Sequence, residues 1–191
     1  MKNRILTLAL SLVAFVSLSF MNNVDEKKEV NTEKSKVTWK GYKVTGSHEG
    51  TINLKNGHLI FNGDKLTGGE FTVDMTTINA TDIEGEMKTN LDNHLKADDF
   101  FGVENHPTSK LVITSVESTG KNSYKVIGDL TIKKVTEPVT FDISVYGSKA
   151  TASLKIDRTT YGLKYGSGSF FDNLGDKAIY DEFDLVVDLE L

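Results

Sequence analysis

The stretch 183-FDLVVDLEL-191 sets Phe183, Leu185, Val187, Leu189 and Leu191 against Asp184, Val186, Asp188 and Glu190. A period of two is the signature of a strand with one face in a core. A strand this regular needs a neighbour for its backbone groups. The first strand-like segment of the chain is the natural partner, since Val37, Trp39 and Gly41 alternate there with Thr38, Lys40 and Tyr42. Pairing Val37–Val44 with Phe183–Leu191 would close a sheet into a barrel.

The same alternation recurs between these two ends. Phe71, Val73 and Met75 stand against Thr72, Asp74 and Thr76, and Leu111 and Ile113 against Val112 and Thr114. Tyr124, Val126, Gly128, Leu130 and Ile132 form one longer row, followed by Val139, Phe141, Ile143 and Val145, then by Ala152, Leu154 and Ile156. Gly46 and Gly50 bracket a turn. Asn56-Gly57 predicts a hairpin pairing Thr51–Leu54 with Leu59–Asn62, because both residues tolerate positive φ. Gly63–Gly69 reads as another turn region. The total, about eight antiparallel strands at hairpin spacing, defines an all-β chain, either an up-and-down barrel or a sandwich.

Two segments break this pattern. In EGEMKTNLDNHLKADDFFGVENHP (Glu84 to Pro107), Ile83, Met87, Leu91 and Leu95 recur every four residues and line one face of a helix. Phe100-Phe101 follows. A helix with paired rings, set among strands, is expected to cover a barrel end, as a lid over a binding cavity or as a plug in the core. The second segment, Thr159 to Tyr180, holds Gly162, Gly166, Gly168 and Gly175 and a second pair, Phe170-Phe171. It reads as an ordered loop near the barrel mouth. If the two phenylalanine pairs met there, they would line an entrance for something greasy.

Residues 1–20 have a basic start (Lys2, Arg4) and an apolar run of about sixteen residues, short of the roughly twenty that a membrane span needs. This predicts a secretory signal, cleaved to give an exported protein of the periplasm or the medium, with retention as an anchor the alternative. Residues 21–36 are polar and without periodicity, and predict a flexible linker. Residues 37–191 form the one domain. The composition, 38% hydrophobic and 26% charged, is that of an ordinary globular chain. A formal charge of −5 with no clustered Lys/Arg run argues against a nucleic-acid partner. The lack of cysteine rules out disulfides, thiolate metal sites, a cysteine nucleophile and lipoprotein acylation.

The motifs of catalysis are missing. His48, His58, His94 and His106 contain neither an i, i+4 pair nor His-x-His, so no metal is expected. Asp98-Asp99 and Asp181-Glu182 read as solvated faces, and Gly-Ser-Gly-Ser-Phe around Ser167 and Ser169 is not a nucleophile elbow. No nucleotide-binding loop occurs, and no cofactor is expected. His94 is either a headgroup contact or a hydrogen bond fixing helix to barrel, and a secreted lipid-acting enzyme with His94 as base is the alternative to a binding protein. Arg158, the only arginine after the leader, either pins the long loop through a carboxylate or meets a ligand headgroup.

Five segments carry a family resemblance. They are His48-Glu49-Gly50-Thr51, the run from Gly68-Gly69-Glu70-Phe71 to Val73-Asp74-Met75, HLKADDFFGVENHPTSKLVITSV (His94 to Val116), GDLTIKKVTEPVTFD (Gly128 to Asp142) and DRTTYG (Asp157 to Gly162). Together they resemble the YceI-like family, over Ser35 to Leu191. The resemblance implies a lipocalin-like barrel of eight antiparallel strands that holds a polyisoprenoid or quinone-like lipid in an apolar tunnel, with transient membrane contact. Lys133-Lys134 departs from the family pattern, a change expected to affect only turn shape. On this reading the ligand-facing side chains are Trp39 on the first strand, then Phe71, Val73 and Met75. The helical segment adds Met87, Leu91, His94 and Leu95, followed by Phe100 and Phe101. Leu111 and Ile113, Val126 and Leu130, and Phe141 and Ile143 continue the inward rows, and Phe170 and Phe171 complete the set. A barrel filled by its own side chains, acting only as an interaction module, is the remaining possibility.

Overall fold

The structure, a computed structural model, describes residues 24–191. The expected signal over residues 1–20 lies outside them. Nine strands and one α-helix follow in order: β1 (Asp25–Glu29), β2 (Lys36–Lys43), β3 (Gly46–Asn62), β4 (Lys65–Ala80), α1 (Gly85–Lys96), β5 (Thr108–Ser118), β6 (Ser123–Ile132), β7 (Val135–Tyr146), β8 (Lys149–Asp157) and β9 (Ile179–Glu190). Strands β2 to β9 pair antiparallel around a closed eight-stranded barrel. The closing seam is the expected one, running from Lys36 opposite Asp188 to Gly41 opposite Phe183.

The inward rows follow the period of two. In β8, Ala150, Ala152, Leu154 and Ile156 are buried and every residue between them is exposed. In β6, Tyr124, Val126, Gly128, Leu130 and Ile132 point inward. Helix α1, the segment with Phe100-Phe101, the β6–β7 turn and the long β8–β9 loop gather at one end, here called the mouth.

Two sequence readings need correction. Asn56-Gly57 is not a turn. Thr51–Leu54 and Leu59–Asn62 both belong to the 17-residue strand β3, and the chain reverses instead at Val44-Thr45 and at Gly63-Asp64. Gly57 sits opposite Phe71 beside a register shift, and a Cβ there would lie 2.5 Å from Phe71 Cδ1. The glycine makes room for a ring across the ladder rather than for a bend. Gly50, likewise within β3, would place a Cβ 1.9 Å from Asn79 O and 2.6 Å from Trp39 Cζ2.

The segment expected to be a flexible linker is also ordered where described. Asp25–Glu29 pairs with His58–Asn62, in line with β2 along the β3 edge. Val30 is buried and its N–H donates to Gly57 O at 2.9 Å, while Asn31 N–H donates to Glu190 O at 2.7 Å. Its sequence, DEKKE, lacks an apolar face because the strand is held by an existing edge and by Lys28 over the Phe61 ring at 4.9 Å.

Close approach at Gly50 sets a prediction. Gly50→Ala is expected to lower unfolding free energy by more than about 3 kcal/mol, because the clash is with backbone. Gly41→Ala, where nothing lies within 4 Å, should change it by less than about 1 kcal/mol. Chemical denaturation of the two variants checks the pair.

Candidate functional site

Beneath the mouth the barrel is not filled. A cavity of about 130 Å³ lies there, with walls from β2, β3, β4, β5, β6, β8 and β9. Trp39, Val73, Met75 and Leu130 line it from the strands, and Leu95, Phe100 and Phe101 roof it. Ile52, Ile78, Ile132 and Phe183 also line the wall and were not among the expected ligand-facing residues. Alternation marked Ile132 and Phe183 as inward, but alternation does not tell wall from filling.

The other expected positions fall elsewhere. Phe71, Ile113, Val126, Phe141 and Ile143 are buried in the core without facing the cavity, as is the partly buried Leu111. They fill the barrel farther from the mouth, so the open space is a pocket and not a bore running end to end. Gly128 leaves no open space in the barrel: Leu111 Cδ1 sits 2.9 Å from where its Cβ would be. Gly41 does leave room and lines the cavity. Met87 is 68% exposed, since α1 meets the barrel through its second half, where Leu91 and Leu95 pack inward.

Phe170 and Phe171 do not join Phe100 and Phe101. Their amides both donate to Ser167 O, and this tight turn buries Ser167 and throws the two rings outward, 47% and 51% exposed. Phe170 packs under Lys164 Nζ at 4.5 Å.

Polar side chains fasten the roof. Asp92 accepts from the Ala80 amide at 2.7 Å and from Lys88 Nζ at 2.6 Å, tying α1 to the end of β4. Burial works to raise the Asp92 carboxyl pKa, but the bonds from Lys88 and Ala80 outweigh it and hold the group below its ordinary value. His48 Nδ1 lies 3.0 Å from Asp82, joining β3 to the segment before the helix. Lys133, in left-handed conformation at φ 50°, reaches over to donate to Asp98 O at 2.8 Å and Phe100 O at 2.9 Å. The Lys133-Lys134 departure therefore does more than shape a turn; it clasps the segment that carries the rings.

His94 does not face the cavity and forms no hydrogen bond to the barrel. Its ring packs 4.3 Å from Tyr165 and 5.4 Å from Phe100, with Nε2 buried and unpartnered among the described residues. Arg158, 3% exposed, donates Nε–H to Tyr180 O, one Nη to Leu163 O at 2.6 Å and the other to Ile179 O. It pins the loop mainly through backbone carbonyls, with Asp181 Oδ1 3.7 Å away. Burial lowers the guanidinium pKa, opposed by Asp181 and Asp157. Tyr161, beneath the same loop, has its phenol pKa pushed up to about 12 by burial, with Glu137 and Asp157 adding to the effect. Among the described residues no group of three or more His, Asp or Glu is arranged to hold a metal ion, and no helix is long and apolar enough to cross a membrane.

A closed antiparallel barrel with an apolar pocket under a helical roof defines a lipocalin-like small-molecule binding scaffold. The chain belongs to the YceI-like family, whose domain matches residues 29–191. A UPF0312 protein of Pseudomonas putida (strain W619) is 34% identical over 98 residues, which are 51% of this chain and 49% of that protein. The chain thus aligns with about half the length of the curated relatives it matches. Burkholderia cenocepacia BcnA shares the fold with a TM-score of 0.67 at 24% identity, covering 84% of this chain and 98% of that one. A polyisoprenoid binding domain from Saccharophagus degradans, implicated in plant cell wall breakdown, does so with a TM-score of 0.57 at 13% identity, over 85% of this chain and 97% of that one.

Two variants test the fastenings. Asp92→Ala should cost about 1–2 kcal/mol near neutral pH. Because the folded carboxyl pKa lies below the ordinary 3.8, its contribution is complete above that value and is lost as the pH falls through the folded pKa. The stability gap between parent and variant should therefore close in acid. Lys133→Ala should speed amide hydrogen exchange between Ala97 and Val103 by roughly tenfold while β8 is unchanged, as removal of one charged clasp implies.

Proposed function

We propose that this chain is an exported, non-enzymatic carrier that holds the tail of an isoprenoid lipid, a prenyl or quinone-like molecule, under the helical roof, for carriage or storage in the cell envelope. The observation that carries the reading is the unfilled pocket in a family-typical barrel, with Trp39, Met75, Leu130 and the Phe100-Phe101 pair around it. The polyisoprenoid-binding description of a protein of the same fold supports the choice of ligand class. The exposed rings of Phe170 and Phe171 beside the mouth support transient contact with a membrane when lipid is exchanged.

Size refines the reading. At about 130 Å³ the pocket resembles cavities that hold a single benzene ring, so it takes roughly one isoprene unit with the side chains as placed. Burying five carbons stabilises by about 4 kcal/mol, which corresponds to millimolar binding before immobilisation is subtracted. A carrier must bury more. The added volume comes from the roof, where Phe100 and Phe101 are held by the Lys133 clasp and not by the barrel's own ladder.

Mass spectrometry of an organic extract of natively purified protein should show an isoprenoid lipid in near-stoichiometric amount. Titration with prenols of rising length should show affinity climbing with chain length, and Leu130→Trp, which fills the pocket, should weaken binding at least about tenfold. A clean extract together with no prenol binding would sink the proposal.

A further inference from the structure

A pocket this short leaves most of a lipid outside it, so the path out of the barrel decides what the rest of the molecule meets. The roof is closed by buried Leu95, Phe100 and Phe101. The side is not. On the β2–β9 seam the ladder runs to Gly41 opposite Phe183 and resumes at Lys43 opposite Ile179. One residue of β2, Tyr42, therefore faces three of β9: Tyr180, Asp181 and Glu182. Of these three only Glu182 keeps a partner on β8, Asp157, so Tyr180 and Asp181 pair with neither neighbouring strand, and this gap in the ladder is here called the window. Above it the seam is closed again by Val44 N–H donating to Ala178 O.

Outside the window lies an open groove of about 620 Å³, lined by Tyr42, Lys155, Ser169, Tyr180, Asp181 and Glu182 with their neighbours. Tyr42, Ile179, Tyr180 and Glu182 belong to the walls of both groove and pocket, so the two spaces adjoin across this one stretch of wall. Within the pocket wall, Trp39 has its Nε1 buried and without a hydrogen-bond partner among the described residues. A polar group in an apolar wall without a partner is an unmet hydrogen bond that a ligand can satisfy.

The charge of the groove is one-sided. Asp181 and Glu182 line it and Asp184 stands behind, accepting from the Tyr42 hydroxyl at 2.6 Å. That hydroxyl holds the Asp184 carboxyl below its ordinary pKa. The nearby cations are engaged, Lys40 by Glu49 at 3.6 Å. Lys155 lies between Glu182 at 3.4 Å and Asp184 at 3.3 Å, and Arg158 is spent on three backbone carbonyls. Asp181 Oδ2 accepts from the Ser169 hydroxyl, while Oδ1, 3.7 Å from Arg158, has no hydrogen-bond partner among the described residues.

We infer that a bound isoprenoid leaves the barrel sideways through the β2–β9 window, and that its headgroup lies in this carboxylate-lined groove, which selects a neutral or cationic hydrogen-bond donor over a phosphorylated head. This deepens the carrier reading and rests on it. An alcohol, phenol or amine finds acceptor oxygens there. A diphosphate brings like charge against Asp181 and Glu182, and the one cation among the residues lining the groove, Lys155, is already paired.

The test is calorimetric titration of the purified protein with farnesol, farnesylamine and farnesyl diphosphate, which share one tail. Alcohol and amine should bind at least about tenfold tighter than the diphosphate at low salt, with the gap narrowing as salt screens it. Glu182→Gln, at a well-exposed side chain where folding is not at stake, should narrow the gap between farnesol and the diphosphate about threefold or more; Asp181→Asn should act in the same direction. Diphosphate binding as tight as the alcohol, or a gap indifferent to Glu182→Gln, overturns the inference and leaves the carrier reading standing. No binding of any of the three overturns both.

Discussion

The backbone pairing of β2 with β9 is the constraint on which the molecule depends. It joins the first barrel strand to the last across nearly the whole chain and turns a curled sheet, with two open edges, into a closed wall. Only then do the alternating rows acquire an inside, and only then can an apolar pocket be kept from water. The register break at Tyr42 matters for the same reason. A bulge bends the strand that carries it and interrupts the ladder, and at Tyr42 that interruption falls in the very seam that closes the barrel.

The mouth is assembled by a different chemistry from the body. The body is a ladder with apolar rows packed behind it. The mouth is held by charged side chains reaching backbone groups of distant segments: Lys133 to the Phe100 segment, Asp92 to the end of β4, Arg158 to the long loop. Each such bond contributes on the order of 1.5–3 kcal/mol and acts alone, so these segments open more readily than the strands. A barrel whose wall is cooperative and whose roof is clipped on suits a protein that must admit a chain without unfolding.

How much of this was legible in the sequence follows from what each signal reports. Alternation is imposed by the pleat, so the strands, the closing seam and the inward rows were readable from Val37, Phe71, Val126 and Leu185 onward. Alternation is silent about depth, which is why Val126 and Phe141 could not be told from Leu130. Asn56-Gly57 misled because glycine serves two needs: positive φ in a turn and absence of a Cβ beneath Phe71. The strand at Asp25–Glu29 left no trace because its stability comes from a free edge of β3. Met87 kept the helical spacing but overhangs the barrel, and Phe170-Phe171 were turned outward by a reversal at Ser167. The clasp of Lys133 joins residues more than thirty positions apart, and no local pattern announces it.

The strand β1 has one more implication. Asp25 pairs with Asn62, beside the Gly63-Asp64 reversal, which lies at the pole of the barrel away from α1. The first described residue, Val24, therefore stands at the floor and not at the roof, so the helix and the outward-turned Phe170-Phe171 pair occupy the pole opposite the one where the described chain begins.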